Sequence, residues 1–120
     1  MIEETIEDAA GGIASLPERE FAQIVRAFQL PEPARQRVLR HNDGRYFLDA
    51  YWEEYDLAVE VDGRPHMDVT AWDADLDRAN EIVLDRRTML RFTSFAVRSR
   101  ATMVGSTLVR ALTVRGWRAP

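Results

Sequence analysis

The 120-residue chain contains no cysteine, no lysine and only two histidines. Without cysteine it can form neither a disulfide bond nor a thiolate metal site, and this fits a reducing cytoplasm. The chain also lacks an apolar run of membrane-spanning length, and its start, Met1-Ile2-Glu3-Glu4, is acidic where a secretory signal would be basic. We therefore expect a cytoplasmic protein with no membrane segment.

Because lysine is absent, all basic residues are arginines, and their distribution is uneven. Residues 1–85 hold all 20 acids and eight arginines, whereas residues 86–120 hold eight arginines and no acid. The C-terminal third could face a polyanion such as DNA, or its arginines could pair with the acidic part of the same domain. The sequence leaves both alternatives open.

Length and periodicity predict one small α/β domain. With 46% hydrophobic residues, the chain can bury a single core. We expect residues 1–14 to be a flexible N-terminal tail, because they are acidic, small and rich in glycine, and residues 15–120 to be the folded domain. Capping signals and apolar spacing predict helices at 15–29, at 70–84 and after 99, and strands at 34–40, 45–52, 57–62 and 88–95.

This order of elements predicts a mixed sheet flanked by helices. A helix separates the third and fourth strands, so the last strand should join the sheet by a crossover and lie parallel to an earlier strand. The two strands before that helix are separated only by the turn Glu53-Glu54-Tyr55-Asp56, which predicts an antiparallel hairpin.

The predicted hairpin brings carboxylates together. Side chains alternate along a strand, so Glu60 and Asp62 share one face of the second hairpin strand, and Asp49 can lie beside Glu60 from the first. Three acids in one place repel one another and lose hydration unless a cation offsets that cost. The pattern therefore predicts a metal site formed by Asp49, Glu60 and Asp62. Glu20 on the first helix is a candidate accessory ligand, although a solvated surface acid is the simpler interpretation.

A set of motifs gives the chain a resemblance to a known family. The motifs are Leu48-Asp49, then Val59-Glu60-Val61-Asp62-Gly63 with His66, then Trp72, Asp77-Arg78 and Asn80, and finally Leu90-Arg91-Phe92. From about Ser15 to Trp117, the chain resembles the domain of unknown function 559, which is related to the very-short-patch mismatch repair endonucleases of the PD-(D/E)XK superfamily. The resemblance implies a restriction-endonuclease-like αβββαβα core.

The resemblance also implies metal-dependent hydrolysis of phosphodiester bonds in DNA. Asp49 would be the shared ligand of Mg²⁺ or Mn²⁺, Glu60 a second ligand, and His66 a general base or water-orienting residue. Asp62 stands where the superfamily usually has lysine, so it would be a further metal ligand instead. Arg78 and Arg91 could replace the missing positive charge, and Asn80 is a candidate accessory residue, although Arg78 could equally pair with an acid on its own helix.

Partners and alternatives follow from the same residues. Arg35, Arg37, Arg98 and Arg100 are candidate DNA contacts, and a homodimer is compatible with the sequence. The missing lysine and the acidic balance favour an alternative, a catalytically inactive nuclease-fold module that binds nucleic acid or a partner protein. A third alternative is a subunit of a toxin or defence system whose other domain precedes Met1 in a longer relative.

Overall fold

A computed structural model describes residues 2–5, 16–41, 46–63, 69–86 and 89–120. The side chains of residues 2–5, 41, 69–72 and 82–86 are not described. The elements, in chain order, are β1 (Ile2–Thr5), α1 (Leu16–Ala27), β2 (Arg35–His41), β3 (Tyr46–Trp52), β4 (Leu57–Gly63), α2 (Val69–Arg86), β5 (Met89–Thr93), α3 (Ser94–Ser99) and α4 (Ala101–Val114).

The strands form one mixed five-stranded sheet in the order β1-β2-β3-β4-β5. The pairs β1-β2, β2-β3 and β3-β4 are antiparallel, whereas β5 lies parallel to β4 and is reached through α2. The predicted α/β class, with a mixed sheet, a crossover helix and helices packed against the sheet, is confirmed. Within the described ranges, no helix combines the length and apolar character needed to cross a membrane.

The N-terminus departs from the prediction of a flexible tail. Ile2–Thr5 forms a strand that pairs antiparallel with β2, from Ile2 opposite His41 to Thr5 opposite Val38. The outer edge of β2 would otherwise present a row of unpaired backbone donors and acceptors, and a neighbouring segment can satisfy them whatever its composition. This part of the tail prediction is therefore wrong, and the rest of residues 6–14 lies outside the described chain.

One face of the sheet forms the core. Side chains alternate along β3 and β4, so every second residue of each strand faces the core. These residues are each less than 4% exposed; they are Leu48, Ala50, Trp52, Leu57, Val59 and Val61. The apolar side chains of α1, α3 and α4 cover this face; they include Phe21, Ile24, Val25, Ala96, Val97, Val104, Leu108, Ala111 and Leu112. Three of the four helices therefore pack against one side of the sheet.

The chain after β5 turns into a helix earlier than the sequence predicts. The predicted strand continues to Phe95, but β5 ends at Thr93 and α3 begins at Ser94. The Thr93 hydroxyl accepts a hydrogen bond from the Ala96 backbone N–H at 2.9 Å, which is N-terminal capping of a helix. The cap residue was present in the sequence, but the apolar Phe95 favoured continuation of the strand.

The arginines of the C-terminal third bind acids of earlier helices. Arg98 donates to Glu20 on α1, at 2.7 and 3.3 Å, and Arg100 donates to Asp77 on α2 at 2.9 Å. On α4, Arg110 forms two hydrogen bonds of 3.0 Å with Glu81. These pairs connect the last two helices to α1 and α2. Of the two alternatives left open by the charge asymmetry, the structure favours pairing within the domain for these three arginines.

At the β5 edge of the sheet, the backbone is bound by a side chain of α2. The Asn80 amide donates to the Arg91 carbonyl at 2.8 Å and accepts from the Arg91 N–H at 3.1 Å. Asn80 is 6% exposed, so its amide occupies the place that a further strand would take beside β5. Asn80 therefore fixes the backbone of β5 and, through it, the position of the Arg91 side chain.

Candidate active site

The face of the sheet opposite the core carries a row of charged side chains. In the strand registers Arg37 lies opposite Asp49, Asp49 opposite Glu60, and Glu60 opposite Arg91, so one position on each of β2, β3, β4 and β5 aligns across the sheet. Adjacent strands are about 4.8 Å apart, which brings neighbouring side chains of such a row into contact range. We call these four residues the charged row. Two carboxylates lie at its centre and one arginine at each end.

The tight connection between β3 and β4 sets this register. Residues Glu53–Tyr55 form one turn of 3-10 helix, and Asp56 closes it in the left-handed conformation with φ of 50°. Aspartate tolerates this conformation better than most residues because its short side chain can bond locally, and here its carboxylate accepts from the Tyr51 hydroxyl at 3.1 Å. The hairpin predicted from the sequence is therefore confirmed, together with the placement of Asp49 beside Glu60.

Glu60 lies in an environment that disfavours its charge. Its side chain is 24% exposed, and the nearest cation is the Arg91 guanidinium, whose Nε is 3.4 Å from Oε1. Partial burial raises the pKa of Glu60, the carboxylates of Asp49 and Asp62 raise it further, and Arg91 lowers it without cancelling the increase. Ionised Glu60 is therefore disfavoured mainly by its partial burial, even with the arginine beside it.

Asp62 lies on the same face but in a different environment. It is opposite Phe47 on β3 and Thr93 on β5, and only 6% of it is exposed. The Thr93 hydroxyl donates to Asp73 of α2 at 2.5 Å. Asp73 is also buried, so Thr93 has one buried acid opposite it in β4 and binds a second in α2. Sequence reasoning did not find Asp73 or Thr93, because their proximity depends on how α2 crosses the sheet.

The convergence of three acids on one ion stays a prediction. Among the described residues, which include Asp49, Glu60 and Asp62, no group of three or more Asp, Glu or His side chains is arranged to hold a metal ion. Asp62 is two residues from Glu60, about 6.8 Å along β4, and unlike Glu60 it is in the covered part of the face. The structure brings together the pair Asp49 and Glu60 and places Asp62 beside it.

The predicted arginines divide into two groups. Arg37 and Arg91 belong to the charged row, and Arg35 lies on the same face of β2, opposite Tyr51. Arg98 and Arg100 are bound to Glu20 and Asp77 as described above. The open face thus presents Arg35, Arg37 and Arg91, all exposed, beside the two carboxylates.

Three other predicted residues are not at the acid pair. Glu20 is on α1, which packs on the core face, and its carboxylate is held by Arg98. Arg78 is exposed and contacts Asp75 of its own helix, which is the alternative given for it above. Asn80 is committed to the Arg91 backbone, and His66 lies outside the described residues.

We expect Glu60→Gln to melt at a higher temperature than the wild-type protein at pH 7 when no divalent ion is present. A raised pKa means that the folded state favours the protonated acid, so ionised Glu60 costs stability, and this cost grows as the pH rises from the ordinary pKa of glutamate through the raised value. The advantage of the variant should therefore be small at pH 4 and larger at pH 7. Thermal melts followed by circular dichroism at both pH values measure it. A variant that is less stable than wild type at pH 7 would contradict the assignment of unfavourable charge to Glu60.

The two paired carboxylates have the donor chemistry of a Mg²⁺ or Mn²⁺ site. Mg²⁺ is often held by only one or two carboxylates, with waters and substrate phosphates completing its coordination, so the absence of a third acid does not prevent binding. Asp49 and Glu60 would be the protein ligands. No protein-family model matches this chain, and neither a curated protein nor a solved structure matches it significantly.

Proposed function

We propose that this protein is a metal-dependent DNA endonuclease domain related to the domain of unknown function 559 and to the very-short-patch repair endonucleases. The observation that carries the proposal is the charged row, in which Asp49 lies opposite Glu60 on the open face of the sheet, with Arg91 3.4 Å from Glu60. An acid pair between exposed arginines can hold a divalent cation and a phosphate at the same place.

The order of the elements supports a restriction-endonuclease-like arrangement. A helix, an antiparallel strand meander, a crossover helix and a parallel strand follow one another as that fold requires. The acids of the motif occupy the second and third strands of the meander, on the face that the core helices leave open. The additional N-terminal strand extends the sheet at the far edge and does not alter the meander.

Each residue of the charged row has a defined part in the proposed reaction. A divalent ion held by the acids would supply positive charge to the phosphate and lower the pKa of an attacking water. Asp49 and Glu60 would hold that ion, and its charge would offset the cost of ionising the partly buried Glu60, which is the main cause of the raised pKa of Glu60. Arg37 and Arg91, one at each end of the row, are placed to bind phosphate oxygens on either side of the acids.

Arg91 supplies the positive charge that lysine usually gives in this superfamily. Position 62 on β4 holds aspartate, and the chain has no lysine, so the charge cannot come from that strand. Arg91 reaches Glu60 from the neighbouring strand β5, and its backbone is fixed by Asn80. With a cation held by the acids, the Arg91 guanidinium would be placed to bind a phosphate oxygen beside them.

A second candidate function has a specific observation in its favour. With Arg91 already paired to Glu60 and no three-ligand cluster among the described residues, the domain could keep the fold and bind nucleic acid without cleaving it. This candidate predicts DNA binding that needs no divalent ion and survives the loss of Glu60.

Calorimetric titration of Mg²⁺ and of Mn²⁺ separates the two. For the nuclease we expect saturable binding by the wild-type protein, at least tenfold weaker binding by Asp49→Asn, and tighter binding at pH 8 than at pH 5, since protonated Glu60 cannot act as a ligand. The control is Asp75→Asn, which removes an exposed acid of α2 and should leave the titration unchanged. Heat changes that are identical in wild-type protein and Asp49→Asn would remove the metal site and leave the second candidate.

A further inference from the structure

A second row of side chains crosses the open face next to the charged row. Arg35 lies opposite Tyr51, Tyr51 opposite Ala58, and Ala58 opposite Met89. We call these four residues the aromatic row. It is displaced by two residues along each strand, so it lies about 6.8 Å from Asp49 and Glu60. None of its members is used by the hydrolysis described above.

Tyr51 is held in place from two directions. Its hydroxyl donates to Asp56 at 3.1 Å, and the Arg35 guanidinium lies over the ring, 5.0 Å from its centroid. Arg35 makes no ion pair within the described residues, and its charge is free to face solvent above the ring. A fixed aromatic ring beside an exposed cation is the combination that stacks bases and binds their phosphates.

Ala58 leaves space between Tyr51 and the next large side chain. Ala58 carries only a methyl group, whereas its register neighbours Tyr51 and Met89 carry much longer side chains. Two strand spacings, about 9.6 Å, separate the strands that carry Tyr51 and Met89. Met89 is 43% exposed although it is apolar, and a thioether adapts its shape to a planar partner. We call the position of Ala58, between Tyr51 and Met89 in the strand registers, the notch.

We propose that this notch binds an unpaired nucleobase of single-stranded nucleic acid, which places the adjoining phosphate on the charged row. This inference rests on the proposed function only in one respect, which is that the phosphate on the charged row would be hydrolysed there. Binding of the base itself needs no metal. Arg35, Arg37 and Arg91 are exposed around the notch and match the charge of the backbone.

Stacking in the notch requires a base that is not in a regular duplex. Bases in a duplex present only their edges in the grooves, and their faces are covered by neighbouring base pairs. A single strand, an overhang or a flipped nucleotide exposes a face that can stack on Tyr51. The preferred substrate is accordingly a single-stranded segment, and stacking without edge contacts predicts little sequence preference.

Fluorescence anisotropy of labelled oligonucleotides tests the proposal in buffer with EDTA. The probes are oligo(dT), oligo(U) and a blunt DNA hairpin duplex of the same label. We expect the wild-type protein to prefer the single strands over the duplex, and Tyr51→Ala to weaken single-strand binding by about 5- to 100-fold. Tyr51→Phe keeps the ring and should bind within about twofold of wild type, since stacking does not use the hydroxyl. The comparison of oligo(dT) with oligo(U) decides between DNA and RNA.

Two further variants keep the test decisive if Tyr51→Ala folds poorly. Ala58→Leu fills the notch from its base and should weaken binding by a similar factor, whereas Phe95→Ala removes an exposed aromatic of α3 and should have no effect. Unchanged affinity in both Tyr51→Ala and Ala58→Leu, or a preference for the duplex, overturns the base-binding proposal. If binding depends on Tyr51 but no DNA is cleaved in Mg²⁺, the nuclease proposal fails and the base-binding proposal stands. If duplex DNA is cleaved equally well by wild type, Tyr51→Ala and Ala58→Leu, the base-binding proposal fails and the nuclease proposal stands.

Discussion

Asp49→Asn should reduce cleavage of supercoiled plasmid or of single-stranded DNA in Mg²⁺ or Mn²⁺ by about 1,000-fold or more. Asparagine keeps the size and a carbonyl oxygen but removes the negative charge that lies opposite Glu60 in the hairpin and would bind the ion. A metal supplies several kcal/mol of transition-state stabilisation, and each 1.4 kcal/mol changes the rate about tenfold, so loss of a ligand accounts for an effect of this size. Agarose gels and a labelled oligonucleotide measure the initial rates.

The reduction should come from chemistry and not from unfolding. Asp49 is half-buried on the open face, so an isosteric change there should alter the free energy of unfolding by less than about 1 kcal/mol. Glu60→Gln should reduce the rate to a similar extent, and the double variant little further, because ligands of one ion act as a unit. Asp75→Asn is the matched control and should cleave normally. Wild-type rates in Asp49→Asn would end the assignment of the acid pair as the reaction centre.

Trp52→Ala should destabilise the domain by about 3–5 kcal/mol, which is a large part of the 5–15 kcal/mol that holds a typical domain folded. Trp52 is 2% exposed at the end of β3, and its ring centroid is 6.2 Å from that of Phe21 on α1. Its indole N–H also donates to the Pro31 carbonyl at 2.7 Å. The substitution leaves a cavity between sheet and helix and an acceptor without its donor. Thermal melts should show a decrease in Tm of roughly 12–20 °C.

Trp52→Phe separates packing from hydrogen bonding. Phenylalanine keeps an aromatic ring against Phe21 but cannot donate to Pro31, so we expect a cost of about 1–2 kcal/mol, well below that of alanine. Exposed Val114→Ala, at 69% exposure, should leave the Tm within about 2 °C of wild type. A decrease in Tm of less than about 5 °C for Trp52→Ala would show that α1 does not depend on this contact.

The hairpin could be predicted because its sequence specifies it locally. Alternation in β4 separates Leu57, Val59 and Val61 from Glu60 and Asp62, and a short polar connection leaves few registers that keep the apolar side buried. The placement of Asp49 opposite Glu60 then follows from the length of the turn. Similarly, a helix between two strands favours a crossover connection, and the parallel pairing of β4 with β5 agrees with that expectation.

The features that the sequence did not reveal depend on distant parts of the chain. β1 exists because the edge of β2 is available, and nothing within Ile2–Thr5 marks it as a strand. The burial of Asp62 is set by what covers the upper part of the open face, so its separation from the acid pair could not be inferred from alternation alone. The acid partners of the C-terminal arginines depend on how the helices pack, which the sequence does not reveal. These pairs are Arg98 with Glu20, Arg100 with Asp77 and Arg110 with Glu81.

The clamp formed by Asn80 has a consequence for the behaviour of the protein at high concentration. Outward-facing backbone groups of a terminal strand are the template on which another chain adds during fibril growth or strand exchange. At β5 the Arg91 N–H and carbonyl already bond to Asn80, so an incoming strand would have to displace a buried amide before it could align. This side of the sheet is thereby protected against self-association, and the protection comes from one side chain of the crossover helix.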